Sequence, residues 1–408
     1  MNEVTLAKIE KVLAAFTVWL EGYGETSWDH QSYFGGPVGR KAKALYYRNK
    51  KVGMLAVAPM IFSEAFIPSA RRLFAKPLRF PIPDAHYAMG FAYLSQAYAD
   101  TKHHAKAVHF LEELEKSRCL GYQHRCWGYP FDWETRQGTL HEGTPMITTN
   151  PYVYEAFHAV YEIDKDPRWF EIMRSIARHA VEDIKDFPIS ETASACSYTP
   201  FDNGGVINAA AYRAFLLTSA SIDFGEELYW KIAERNLNFV LESQNTDGSW
   251  FYSIDGVRDF VDHFHTCFVL KALAKIQELK PSEKCREAID KGIAYYVANL
   301  LDEKGLPKPF SKAPRMTVYQ RELYDYAECV NLCVLLRARR PELEKVLNDV
   351  ISDVLTRWVK PDGSLRSREL WLGWDNVPMH RWAQSQMFRS LSLLVMKERG
   401  IRSASQVA

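Results

Sequence analysis

The sequence predicts an all-α protein, an (α/α)6 toroid in which six helical hairpins close into a barrel with long loops and short β-hairpins on one face. Three observations predict it. Helices of small and apolar residues begin near Pro83, Thr149, Gly204, Val261, Gln320 and Met379, and each except the last leads through a tight turn into an amphipathic helix. Their starts lie 66 and then 55 to 59 residues apart, a period too regular for unrelated domains. The connections also alternate, with one to three residues inside a pair and about 16 to 29 between pairs.

Each pair is justified by the faces it must bury. Pro83–Thr101 is followed by His103–Cys119, and Thr149–Asp164 by Asp166–Ile184. Gly204–Asp223 precedes Gly225–Gln244. Val261–Leu279 is apolar around most of its circumference, which demands burial on nearly all sides. Behind it, Ser282–Leu301 has a capping serine, Glu283 in its first turn and a charged outer face. Gln320–Arg339 pairs with Pro341–Val359. The sixth inner helix, Met379–Glu398, has no helix after it. One domain over 1–408 is therefore expected, in which the N-terminal helices of 5–74, Thr5–Gly24 or Lys51–Phe74, close the ring against residues 379–398.

A chain that is 47% hydrophobic can bury a large core, and a net charge of +1 offers no electrostatic case for nucleic acid or an anionic membrane surface. No apolar run reaches the roughly 20 residues that span a bilayer, so no transmembrane segment is expected. The charged start (Glu3, Lys8, Glu10, Lys11) lacks the apolar stretch of a signal peptide. Seven cysteines without CxxC spacing read as free thiols, and a cytoplasmic location follows.

In such a barrel the long loops and the N-termini of the inner helices share one face, where function usually resides. Polar residues in those first turns are expensive unless paired or solvated, and six helices place them at the same end. Candidate substrate-binding residues there are Asn150, Tyr152, Asn208, Arg321, Tyr324, His380 and Arg381; Asp262, His263 and His265 are candidates for chemistry. Asp202 and Asp262 can equally serve as caps. The loop before the second inner helix adds Trp127, Tyr129, Trp133 and Arg136 as a sugar-stacking wall, with Asp132 and Glu142 as candidate acids or bases. Trp374 and Asp375 precede the last inner helix and face the same mouth, and Trp250 ends an Asp-Gly-Ser-Trp turn that can also simply seal the barrel edge.

Zinc-protease, hydrolase-elbow, dinucleotide and P-loop motifs do not occur, so neither metal nor cofactor is expected. His263 and His265 project about 200° apart on a helix, which disfavours a shared metal. The alternating helices and these loops resemble the alpha/alpha toroids, which hold six-hairpin glycosidases, unsaturated glucuronyl hydrolases, uronate epimerases, polysaccharide lyases and terpene cyclases. More narrowly, Tyr129–Trp133, Thr148–Tyr152, Tyr198–Asp202, Asp247–Trp250 and Asp262–Leu270 are similar to proteins encoded in bacterial surface-polysaccharide clusters. The resemblance implies carbohydrate work, and no DxDD motif supports terpene chemistry.

The leading expectation is a glycoside hydrolase on a uronate-containing glycan. Asp132 and Asp262 would be the paired carboxylates, Asp202 and Glu142 the substitutes, and His263 or His265 would position substrate. Arg136, Arg321 and Arg381 would meet an acidic oligo- or polysaccharide. The alternatives are a C5-epimerase or lyase with a Tyr or His base, and a glycan-binding or assembly protein without catalysis.

Overall fold

The chain enters through α1 (Glu3–Tyr23), where the Asn2 side chain caps Thr5 N and one stripe, Leu6, Ile9, Leu13, Phe16 and Leu20, is buried. The computed structural model describes residues 1–407, with side chains described to residue 401. An arm of four helices follows: α2 (Ser32–Gly35), α3 (Pro37–Arg48), α4 (Lys50–Phe66) and α5 (Arg71–Phe74). Five hairpins come next. They are α6 (Pro81–Tyr98) with α7 (Thr101–Lys116), α8 (Asn150–Asp164) with α9 (Pro167–Glu182), α10 (Ile207–Phe224) with α11 (Glu227–Glu242), α12 (His263–Leu279) with α13 (Glu283–Asn299), and α14 (Leu323–Leu336) with α15 (Glu342–Asp353). The last helix is α16 (Ser385–Val407).

Helix α6 packs on α8, α8 on α10, α10 on α12, α12 on α14, α14 on α16, and α16 returns to α6. The ring is closed, and the fold is an (α/α)6 toroid. Helix α1 lies against α16, in the place that the outer helices take elsewhere. Outer helices bury one face only: α9 hides Trp169, Ile172, Met173, Ile176 and Ala180, whereas α10 buries nearly every residue from Ile207 to Thr218.

The inter-pair connections carry short strands, all on the side where the inner helices begin. Strand β1 (Trp133–Thr135) pairs with β2 (Gly138–Leu140), β3 (Asp186–Pro188) with β4 (Ser194–Cys196), and β5 (Val261–Asp262) with β6 (Phe310–Lys312). Strands β7 (Tyr319–Glu322), β8 (Arg368–Leu370) and β9 (Trp374–Asp375) form a three-stranded sheet. Lateral pairing explains why α12 and α14 start later than their apolar patterns suggest. Residues 261–262 and 320–322 are held extended by β6 and β8 before the helix begins. Before α16, residues His380–Gln384 wind into a wide π turn.

The Asp-Gly-Ser turns are seals. Asp247 Oδ1 accepts from Ser249 N and Oγ, Gly248 takes φ +93°, and the Trp250 indole donates to Val240 O at 2.9 Å. Asp362, Gly363 (φ +89°) and Ser364 repeat the turn, with Gly363 against Ala15 of α1. A left-handed backbone and a close neighbour together require glycine at both places.

Candidate active site at the loop face

One ring of aromatic side chains crosses the barrel just inside its mouth. His86 meets Tyr152 (4.6 Å between ring centres), Tyr152 meets Tyr212 (5.4 Å), Tyr212 meets Phe268 (5.3 Å), Phe268 meets Tyr324 (6.0 Å) and Tyr324 meets Trp382 (5.0 Å). These residues come from α6, α8, α10, α12, α14 and the turn before α16. The layer is nearly sealed, because Tyr152, Tyr212 and Tyr324 are buried. Among the inner helices, Lys271 of α12 and Arg389 of α16 flank buried Glu328 of α14. Burial, partly offset by Glu328, brings the Lys271 ammonium down to about 8. The funnel that a toroid implies is therefore a shallow bowl floored by rings.

Above the floor stand partly exposed groups: Phe264, His265, Tyr252, Tyr198, Tyr129, Trp382 and His30. Of these, His265 is the one oriented by a buried carboxylate. Asp262 caps α12 by accepting from His265 N at 2.9 Å, and its second oxygen lies 2.6 Å from His265 Nδ1. A carboxylate accepts, so Nδ1 bears the proton and Nε2 is left as the acceptor. Tyr252 stands edge-on at 4.7 Å, and Phe264 and Phe268 pack beside the imidazole.

Arg381 is caged. Its guanidinium lies 4.4 Å from the Phe80 ring centre, 4.7 Å from Tyr129 and 4.7 Å from Trp382, and its Nη2 sits 2.8 Å from buried Asp29. Its Nε and Nη1 are buried without a hydrogen-bond partner. His30 stacks near Trp382 at 5.1 Å; burial and then Arg368, Arg381, Arg71 and Arg315 hold its imidazole well below the ordinary range, so it is neutral. The mouth is thus aromatic, with the caged Arg381 behind its rings. Trp133, under Lys43, and Tyr129 form its wall, and Asn208 contributes a buried Oδ1 without a partner.

Other candidates sit elsewhere, each for a packing reason. Trp127 is fully buried and donates to Leu114 O, while Asn150 accepts from Trp127 N; together they pin the loop to α7 and to the start of α8. Trp250 is the seal described above. His263 turns to the opposite side from His265, with Nε2 2.9 Å from Tyr296 of α13 and Nδ1 3.5 Å from Asp325. Burial opposes its charge, but Cys267 and Asp325 hold it well above its usual range. Arg321 is occupied by Asp302 and Pro307 O, and Trp374 packs on Trp358. Asp375 belongs to a buried ion cluster. Arg136 and Glu142 are exposed.

The four candidate carboxylates do not form a free pair. Asp202 is consumed by Tyr198 N, Thr199 N, Thr199 Oγ1 and Gly204 N. Asp132 is held down by Glu142 N and by Arg40 of α3 at the rim. Asp262 is committed to His265. One carboxyl outside that set behaves differently: Glu322 at the end of β7 is buried, its Oε1 has no partner, and burial pushes it up to about 8.

His380 is structural. Tyr87 Oη lies 2.6 Å from its Nδ1 and Gly24 O lies 3.0 Å from its Nε2, so the phenol donates to Nδ1 while Nε2–H donates to the carbonyl. Burial lowers it from 6.5 to about 4. The unfolded chain takes up this proton first as pH falls, so its share of stability is full above about 6.5, declines towards about 4 and then levels off. Asp84, raised to about 7 by burial, works in the opposite sense over an overlapping range. A comparison therefore isolates His380: stability measured from pH 7 to 4 should fall less steeply in His380→Gln than in the native chain. Equal slopes would show that His380 is protonated as readily when folded.

No family model and no curated protein matches the chain in sequence. Solved structures do match its shape. The cellobiose 2-epimerase of Bacillus thermoamylovorans superposes with a TM-score of 0.62 at 8% identity, over 78% of this chain and 88% of that one. A glycosyl hydrolase family 88 protein from Bacteroides vulgatus gives 0.55 at 10% identity, over 79% and 92%. The family 76 alpha-mannanase of Bacteroides thetaiotaomicron gives 0.57 at 9% identity, over 79% and 88%. The chain has the six-hairpin toroid of these proteins; identities this low speak for the fold alone.

Proposed function

We propose that the chain is a carbohydrate-active enzyme that moves a proton at a sugar carbon, an epimerase or lyase working on an acidic glycan of bacterial surface-polysaccharide metabolism. The Asp262–His265 pair carries the reading: a histidine oriented by a buried carboxylate, at an aromatic mouth, without a second free carboxylate beside it. Nε2 takes the proton from the carbon next to the uronate carboxylate, and the electron pair passes into that carboxylate. Arg381, whose Nε and Nη1 have no hydrogen-bond partner behind the Tyr129 and Trp382 rings, stabilises the charge that develops. A proton delivered to the other face by the Tyr252 phenol or solvent gives the epimer; alternatively the C4 oxygen leaves, taking up the proton held on Nε2, and an unsaturated uronate results. Rings of Tyr129, Trp133 and Tyr252 stack on the sugar. Seven free, buried cysteines support a reducing, cytoplasmic setting.

Glu322 favours a second reading. A carboxyl held up to about 8 is protonated at neutral pH and could serve as the general acid of a glycoside hydrolase. Incubation with uronate oligosaccharides in heavy water separates the readings. Deuterium at C5 or ultraviolet absorbance from an unsaturated product is expected. New reducing ends alone would replace the proposal with hydrolysis, and silence in all three would leave glycan binding.

A further inference from the structure

The arm has a composition unlike the rest of the molecule. Residues 37–76 contain nine lysines and arginines against a single acid, Glu64, in a chain whose net charge is only +1. The overall balance therefore conceals a strongly basic segment set against an acidic remainder. Six of those cations, Lys41, Arg48, Lys50, Lys51, Arg72 and Lys76, are exposed.

The same segment presents bare apolar side chains. Leu55 is 78% exposed, Leu73 82% and Phe74 75%, and Met54, Phe62 and Phe66 are more than half exposed. An exposed leucine on its own needs no explanation, but so many on two adjoining helices mark an interaction surface. Lys50–Phe66 and Pro68–Phe74 meet at a bend of 116°. No single helix among the described residues is long and apolar enough to cross a membrane. The bent pair is shaped to lie on a surface.

The arm is also rigidly held. Glu64 and Arg71, its two fully buried charges, lie in an ion cluster with Arg368 and Asp375 of the sheet before α16. Gly53 lets α4 cross α3 directly against Tyr46. Arg40 and Lys43 of α3 hold Asp132 and the Trp133 ring at the mouth. The apolar face is thus a fixed feature of the loop side, next to the bowl.

We propose that this arm docks the protein on an anionic lipid bilayer. The apolar residues of α4 and α5 enter the boundary between headgroups and acyl chains, and the flanking cations pair with headgroup phosphates. Charge decides against a second copy of the chain as the occupant. A two-fold interface with the arm on its axis would set the six exposed cations of one arm against the six of the other. A leaflet of anionic lipid supplies the opposite charge and takes up the apolar rings together. Bound in this way, the mouth opens at the leaflet.

Vesicle flotation of the full chain tests this, and it needs no substrate, so its outcome is independent of the chemistry proposed above. Binding to phosphatidylglycerol-containing vesicles is expected, weakened by salt and ~10-fold weaker on pure phosphatidylcholine. The pair Leu55→Glu/Leu73→Glu and the pair Lys50→Glu/Lys51→Glu should each lose ~10-fold in affinity while circular dichroism stays native. In Phe62→Trp the indole should be quenched by brominated acyl chains. Absence of flotation on any vesicle overturns the proposal. So does flotation indifferent to Leu55→Glu/Leu73→Glu, which would be surface electrostatics alone. A dimer in light scattering that these substitutions dissolve, without vesicle binding, would assign the surface to a second copy.

Discussion

Replacing His265 by glutamine should lower turnover ~10²- to 10⁴-fold, the usual contribution of a positioned general base, with little change in KM or melting temperature. The side chain is partly exposed and its ring is packed by Tyr252, Phe264 and Phe268, so glutamine leaves no cavity and no orphaned core group. The amide still offers a donor towards Asp262, and what it lacks is a basic nitrogen. Asp262→Asn removes the acceptor that fixes the imidazole. It should cost a smaller factor in kcat with little change in stability, because the asparagine carbonyl still caps α12 by accepting from His265 N. Deuterium uptake at the sugar carbon, read by mass spectrometry, distinguishes the chemistries. If His265→Gln keeps native exchange while Glu322→Gln abolishes release of reducing ends, proton abstraction is wrong and acid-assisted hydrolysis takes its place.

The hairpins were legible because each inner helix must be apolar all round, and each outer one on a single face. That requirement is written in local periodicity, so pairs such as Val261–Leu279 with Ser282–Leu301 could be read within a residue or two of their ends. The opposite directions of His263 and His265 were legible for the same reason. Which of the two meets the mouth was not, since it depends on where α13 supplies Tyr296. Large aromatic residues hid the depth of the bowl: a tyrosine in a first turn looks the same in sequence whether it lines a cavity or fills it. Trp127 and Trp250 could be read either as wall or as wedge, and their indole donors, satisfied by Leu114 and Val240 carbonyls, decide for wedge.

The N-terminal contribution was hidden by distance along the chain. Asp29 and His30 reach the mouth through Arg381 and Trp382, more than 350 residues away, and no local pattern encodes such a contact. Net charge is likewise blind to the arm, because a sum over the whole chain erases a basic segment balanced by acids elsewhere. The motif around Trp374 and Asp375 was visible as an aromatic–acid cluster. Asp375 is balanced by Arg368 of β8 and by Arg71 of the arm, so it reads as a contact with substrate until the arm is in place.

Those partners make Asp375 the position where a single truncation should cost the fold most. Arg71 Nη2 lies 2.7 Å from Asp375 and 2.8 Å from Glu64, and Arg368 Nη2 lies 3.0 Å and 2.5 Å from the same two carboxylates. Two guanidiniums and two carboxylates, all buried, balance each other. Asp375→Ala leaves an uncompensated positive charge in the interior and removes the acceptor of Val377 N, at an expected cost of ~3–5 kcal/mol in denaturant unfolding. Arg71→Ala should be severe as well, but the double variant should be less destabilised than the two losses added together, because removing both partners restores neutrality. Hydrogen exchange should accelerate first in α4 and α5, whose tie to the barrel runs through this cluster, and vesicle binding should weaken as the apolar face loses its fixed geometry. Additive losses, or a cost below ~1 kcal/mol for Asp375→Ala, would mean that water reaches these charges and that the arm is held by something else.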